Sequence, residues 1–103
     1  MEIINDNVII KEVDDILDYF FINECSTIII KKENILNDFF VLSTGFAGEL
    51  LQKCSNYNIR LAIIGDYANI ESKSLTDFIY ESNKTKRIIF VKTIEEAIKI
   101  FNG

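Results

Sequence analysis

Apolar residues recur at three- and four-residue intervals in four segments of the chain, with charged and polar residues between them. This spacing places the apolar side chains on one face of an α-helix. The first segment carries three aspartates off its apolar stripe, and the last opens with Thr93 and Glu96 at the spacing of a capping box. The pattern predicts four amphipathic helices, at residues 13–20, at residues 46–56, around residues 75–79 with Ser72 or Ser74 at the start, and at residues 93–101.

Short apolar runs rich in β-branched residues alternate with these helices, at residues 27–30, 60–65 and 87–91. The runs are too short for helices and are apolar on both faces, which predicts central strands in a sheet covered on both sides. At the N-terminus, Ile3-Ile4 and Val8-Ile9-Ile10 flank the polar segment Asn5-Asp6-Asn7. That arrangement is typical of a β-hairpin.

The predicted order is β-β-α-β-α-β-α-β-α in a single α/β domain over residues 1–103. Alternating strands and helices favour a mostly parallel sheet with helices packed on it, and the hairpin would add an antiparallel N-terminal strand. Sites in such sheets form where strands end and helices begin. The polar residues expected at this rim are Ser43, Thr44, Asp66, Tyr67, Ser72, Lys73, Ser74, Lys92 and Thr93.

The composition excludes several classes of function. A net charge of −5 argues against nucleic-acid binding, although residues 84–87 form a small basic cluster. The chain contains no histidine, which removes Ser–His and Cys–His nucleophile pairs and nearly all zinc sites, and we expect no metal or cofactor. No leader peptide or stretch of about 18 apolar residues is visible, so the sequence predicts a cytoplasmic protein with reduced thiols and no membrane contact.

Ser43-Thr44-Gly45 precedes the second helix and admits two interpretations. In the first, a hydroxyl caps the free amides of the helix and Gly45 lets the backbone turn sharply. In the second, the same amides bind an anion or a hydroxyl receives phosphate. The sequence favours capping. Gly48 indicates close packing of the helix on the sheet or an approaching partner, and Glu49 either serves the helix dipole or acts as a base.

Two further features have simpler interpretations. Cys54 continues the apolar stripe of the second helix, so we expect a buried packing residue, and Cys25 has an acidic neighbour that disfavours a nucleophilic role. Phe39-Phe40 belongs by default to the core, with an exposed patch for a partner as the alternative.

Four segments resemble a bacterial family described as domain of unknown function 4180, which brings no established activity. They are "DFFVLSTGFAGELLQK", "NYNIRLAIIGDY", "SKSLTDFIYESN" and "EEAI". More distantly, the order and spacing resemble the STAS domain of anti-sigma factor antagonists and sulfate transporters. In that family a strand leads into an Asp-Ser-Ser-Gly-like turn in which a kinase modifies a hydroxyl and thereby controls partner docking. The resemblance places Thr44 at the modified position and Leu42 where the family carries Asp.

Two hypotheses of function follow. The first is a non-enzymatic regulatory or interaction module that binds a protein partner, or a small anion, through Ser43, Thr44, Gly45, Gly48 and Asp66. The second is a small enzyme or ligand-binding domain with Asp66, Glu49 and Lys73 around a polar pocket, in which Lys73 pairs with Asp66 or binds an anion. For Lys73 itself, a solvated side chain is the favoured interpretation. The absence of histidine favours the first. A homodimer formed through the apolar helices is a third interpretation.

Overall fold

The computed structural model describes residues 2–3 and 9–102. Within them, one four-stranded parallel sheet has its strands in chain order. The strands are β1 (Glu2–Ile3), β2 (Thr27–Lys31), β3 (Arg60–Ile64) and β4 (Ile88–Val91). The helices are α1 (Val13–Asn23), α2 (Phe46–Asn56), α3 (Lys73–Thr85) and α4 (Ile94–Asn102). Three 3₁₀ turns, Lys32–Asn34, Asn37–Phe40 and Leu42–Thr44, connect β2 to α2.

The two faces of the sheet carry separate cores. Ile28, Leu61 and Ile88 lie side by side on neighbouring strands and pack under α1 and α2. Ile29 and Ala62 point to the opposite face, where they pack under α4. Because the strands follow chain order, crossovers of the usual hand place successive helices on one face. The three longer strands are buried on both faces, on one face by α1 and α2 and on the other by α4. This confirms the prediction of strands covered on both sides.

Arg60, at the start of β3, contacts the end of the core that lies under α4. Its guanidinium donates to the carbonyl oxygen of Phe101 at 2.9 Å and to the hydroxyl of Thr27 at 3.2 Å. The same group lies 4.9 Å from the centroid of the Phe101 ring. One side chain thus ties the end of α4 to two strands through directional bonds and a cation–π contact.

The predicted antiparallel N-terminal strand is wrong for the described residues. β1 pairs with β2 in parallel, with Glu2 beside Ile28, and Ile10 forms only an isolated parallel bridge to Ile35. The chain returns from β1 to β2 through the crossover helix α1, and such a connection makes two neighbouring strands run in the same direction. Residues 4–8, which include the expected hairpin loop, lie outside the described residues.

The helices are short compared with the thickness of a bilayer. The longest, α3, has 13 residues, and no helix in the described part of the chain is long and apolar enough to cross a membrane.

Candidate functional site

A groove of about 360 Å³ lies between the N-terminal ends of α1 and α2. Since each of these helices follows a parallel strand, both helix starts lie at the carboxyl edge of the sheet, where sites form in α/β folds. We call this the α1–α2 groove. Its lining residues are Lys11, Glu12, Val13, Asp14, Leu36, Asp38, Thr44, Phe46 and Glu49.

Thr44 lines the groove and lies in a 3₁₀ turn in which its hydroxyl forms several hydrogen bonds. Its hydroxyl oxygen is 2.8 Å from the Asp38 carbonyl and 2.9 Å from the Val41 carbonyl, and it accepts the Phe46 N–H at 3.3 Å. Gly45 is the N-cap residue of α2, with a left-handed φ of 81°. The hydroxyl of Thr44 thus satisfies the first amide of the helix from the position before the cap, which agrees with the capping interpretation of this turn.

The segment before this turn is not extended. Residues 37–40 and 42–44 form 3₁₀ turns, and the preceding strand ends at Lys31. Ser43 is exposed at the surface of the second of these turns. The turn is therefore joined to the sheet by a compact connection rather than directly by a strand.

The charges of the α1–α2 groove are mainly negative. Four carboxylates (Glu12, Asp14, Asp38 and Glu49) and one ammonium (Lys11) line it, and their formal sum is −3. Asp15, in the first turn of α1, accepts the N–H groups of Lys11 and Glu12. This environment is opposite in sign to that of an anion-binding turn.

The acidic and thiol side chains are spread over the surface and the core. Among residues 2–3 and 9–102, no three of them are grouped closely enough to hold a metal ion.

The structure separates the three residues of the predicted polar pocket. Lys73 lies 2.9 Å from the carboxylate of Asp77, one turn along its own helix, and this hydrogen bond raises the pKa of Lys73. The predicted pairing of Lys73 with Asp66 is therefore wrong. Asp66 accepts the N–H of Ala68 at 3.0 Å in a local turn, whereas Glu49 lines the α1–α2 groove. Of the three, only Glu49 contributes to that groove.

Residues 1–101 match the model of the family described as "Domain of unknown function (DUF4180)". The chain belongs to this family. No curated protein and no solved structure matches the chain. The family's description carries no activity.

Gly48 faces away from the sheet in this DUF4180 domain. It is exposed, and a Cβ atom on it would meet no atom within 4 Å. The prediction of close packing at Gly48 is wrong, because Ala47, Leu50 and Cys54 form the buried face of α2 and the helical rotation of 100° per residue turns Gly48 outward.

The sequence reasoning missed a contact between a lysine and two aromatic rings at the carboxyl edge of the sheet. The Lys32 ammonium lies 5.3 Å from the centroid of the Phe40 ring and 5.4 Å from that of Tyr67. The Tyr67 hydroxyl donates to the Ile63 carbonyl at 2.9 Å, and burial of the phenol raises its pKa. Gly65, directly after β3, was the one available signal, since a glycine at a strand end often marks a close approach.

Phe39 and Phe40 belong to the core rather than to a surface patch. Phe39 is fully buried, with ring centroids 5.0 Å from Phe40, 5.6 Å from Phe46 and 6.0 Å from Phe90. The contacts of Phe39 with Phe40 and Phe46 are edge-to-face, and such contacts add to the stabilisation from burial alone. Phe46 joins this aromatic cluster to the α1–α2 groove, because it contacts Phe39 and also lines the groove.

Proposed function

We propose that this domain is a non-enzymatic protein-interaction module whose α1–α2 groove receives a basic, partly apolar segment of a partner protein. The observation that carries the proposal is the lining itself, which combines a formal charge of −3 with three apolar residues. A partner segment with lysine or arginine beside an aliphatic residue complements both properties.

The apolar part of the lining can contribute binding energy. Val13 and Phe46 are mostly buried at the sides of the groove, whereas Leu36 keeps 38% of its surface exposed. An aliphatic side chain that covers Leu36 would remove apolar surface from water at about 25 cal/mol per Å². The position of Leu36 gives a partner an anchor that charge alone does not supply.

The carboxylates favour partners of the opposite charge. Glu12, Asp14, Asp38 and Glu49 are all exposed, so each pair with a partner lysine contributes only about 0.2–1 kcal/mol. Four carboxylates on one face nevertheless steer a cationic segment toward the groove and repel an acidic one. The electrostatic contribution acts on selectivity more than on affinity.

Regulation by phosphorylation, as in the anti-sigma factor antagonists that the chain distantly resembles, fits Ser43 better than Thr44. The Thr44 hydroxyl is engaged by Asp38, Val41 and Phe46, and a phosphate there would replace these bonds and face the carboxylate of Glu49. Ser43 is exposed beside the groove. The regulatory part of the proposal therefore places the modified hydroxyl at Ser43.

An NMR titration tests where a cationic segment binds. The ¹⁵N-labelled domain is titrated with a decapeptide of alternating lysine and leucine, and with a glutamate–leucine decapeptide as the matched control. The expected result is amide shifts concentrated at residues 11–14, 36–38 and 44–49 for the cationic peptide, and no saturable shifts for the acidic one. Shifts scattered over the surface, or equal responses to both peptides, would overturn the proposal.

A further inference from the structure

β4 is the last strand of the sheet, and its outer edge has no neighbouring strand among the described residues. The carbonyls of Arg87 and Val91 accept the N–H groups of Leu61 and Gly65 on the β3 side. Backbone groups alternate in direction along a strand, so those of Ile88 and Phe90 point away from the sheet. If such groups have no partner, they form a template for pairing with another chain.

Side chains of α3 occupy this outer edge. The Asn83 carboxamide accepts the Phe90 N–H at 2.7 Å and donates to the Phe90 carbonyl at 3.2 Å. Ser82, which is 2% exposed, donates its hydroxyl proton to the Ile88 carbonyl at 2.6 Å. A primary amide presents the same donor and acceptor as a peptide group, so Asn83 gives Phe90 the two bonds that a residue of a fifth strand would make.

We propose that Asn83 is an edge lock, and that its loss opens β4 to antiparallel pairing with β4 of a second copy of the chain. The segment Ile88-Ile89-Phe90-Val91 carries no charge and consists of residues with high β-propensity. A two-fold axis through Ile89 pairs Ile88 of one copy with Phe90 of the other, so that the outward backbone groups of both strands face one another, as in isologous dimers. Unlocking requires that the last turn of α3 moves away from the edge, which also breaks the hydrogen bond from Ser82 to the Ile88 carbonyl.

The charges that flank β4 give this pairing a salt dependence. In this register, Lys86 of one copy lies opposite Lys92 of the other at both ends of the segment. Like charges opposite one another destabilise a strand pair, and salt screens them. Self-association of an unlocked variant should therefore increase with ionic strength.

The test compares Asn83→Leu with Asn83→Asp and with Asn102→Leu, a matched change at an exposed asparagine on α4. Amide hydrogen exchange is followed at Phe90 and at Ile89, whose N–H faces β3. Asn83→Leu should raise Phe90 exchange about tenfold relative to Ile89, whereas Asn83→Asp keeps the acceptor of the Phe90 N–H but not the donor to its carbonyl, and should retain part of the protection. Asn102→Leu should match the unmodified chain, and Asn83→Ser replaces Asn83→Leu if that variant does not fold.

Light scattering after size-exclusion chromatography tests the second half of the proposal. Asn83→Leu should form a dimer whose fraction grows with protein concentration and between 50 and 500 mM NaCl, while Asn102→Leu follows the unmodified chain. Unchanged Phe90 exchange in Asn83→Leu would overturn the edge lock. Fast Phe90 exchange in a variant that associates no more than the unmodified chain at both salt concentrations would overturn the pairing with a second copy.

Discussion

Gly65 and Lys32 are in direct contact across the end of the sheet. A Cβ atom on Gly65 would lie 2.9 Å from the Lys32 Cβ and 3.1 Å from its Cδ. The Gly65 N–H donates to the Val91 carbonyl at 3.0 Å, which holds the backbone at this distance. The missing side chain of Gly65 therefore lets the Lys32 ammonium reach the rings of Phe40 and Tyr67.

Gly65→Ala is expected to lower the free energy of unfolding by about 1–3 kcal/mol, because the added methyl group collides with the Cβ and Cδ atoms of Lys32. Gly48→Ala is the matched control. It lies in α2 with open space around its Cα, so the same change should raise the free energy of unfolding by about 0.5–1 kcal/mol. Urea denaturation measures both, and effects of the same sign would contradict this account of the two glycines.

Thr44→Val is expected to destabilise the domain by about 1–2 kcal/mol while Thr44→Ser stays close to the unmodified chain. Valine keeps the shape of threonine but loses the hydroxyl that bonds Asp38, Val41 and Phe46, whereas serine keeps it. Thermal unfolding followed by circular dichroism compares the two variants. Equal losses would show that the methyl group, not the hydroxyl, holds the turn.

The domain should lose stability in mild alkali. Burial raises the pKa of Cys54 from 9.0 to about 12, although the nearby charge of Arg87 acts in the opposite direction. Because the folded pKa exceeds the unfolded one, the stabilisation is complete below pH 9 and is lost as the pH rises toward 12. Burial raises the pKa of the Tyr67 phenol in the same sense. Each group contributes about 1.4 kcal/mol per pH unit in its range.

Cys54→Ala separates the thiol from the phenol in this experiment. The variant is less stable at pH 7 because it leaves a cavity beside Leu50, but its free energy of unfolding should fall less steeply between pH 9 and 10.5. Urea denaturation at a series of pH values measures the slopes. Parallel slopes for the variant and the unmodified chain would mean that the Cys54 thiol does not cause the alkaline loss.

Elements with strong local patterns were predictable from the sequence. The strand around Ile29 and the helix around Leu50 follow from apolar spacing alone, since burial on two faces or on one stripe leaves a direct record in the residue order. The direction of β1 was not predictable in this way. Asn5-Asp6-Asn7 resembles a hairpin loop, but strand pairing is decided by the crossover through α1 and by contacts distant in sequence.

The contacts of the candidate site residues also differ in whether a local sequence signal reveals them. The turn at Thr44 was located correctly because a hydroxyl followed by Gly45 before a helix is a local signal. The partner of Lys73 is Asp77, four residues along the same helix, which is a local pair that the sequence reasoning passed over in favour of Asp66. Asn83 sits among polar residues of α3 and carries no periodic signal, although its carboxamide closes an edge of the sheet. Contacts of a single polar group leave no pattern in the sequence.

The dissociation constant of the lysine–leucine decapeptide for Glu49→Gln, compared with Glu95→Gln, tests the proposed interaction function most directly. Both glutamates are exposed in the first turn of a helix, but only Glu49 lines the α1–α2 groove. The account predicts about two- to fivefold weaker binding for Glu49→Gln, in line with one exposed ion pair, and no change for Glu95→Gln. Equal dissociation constants for the two variants would contradict it.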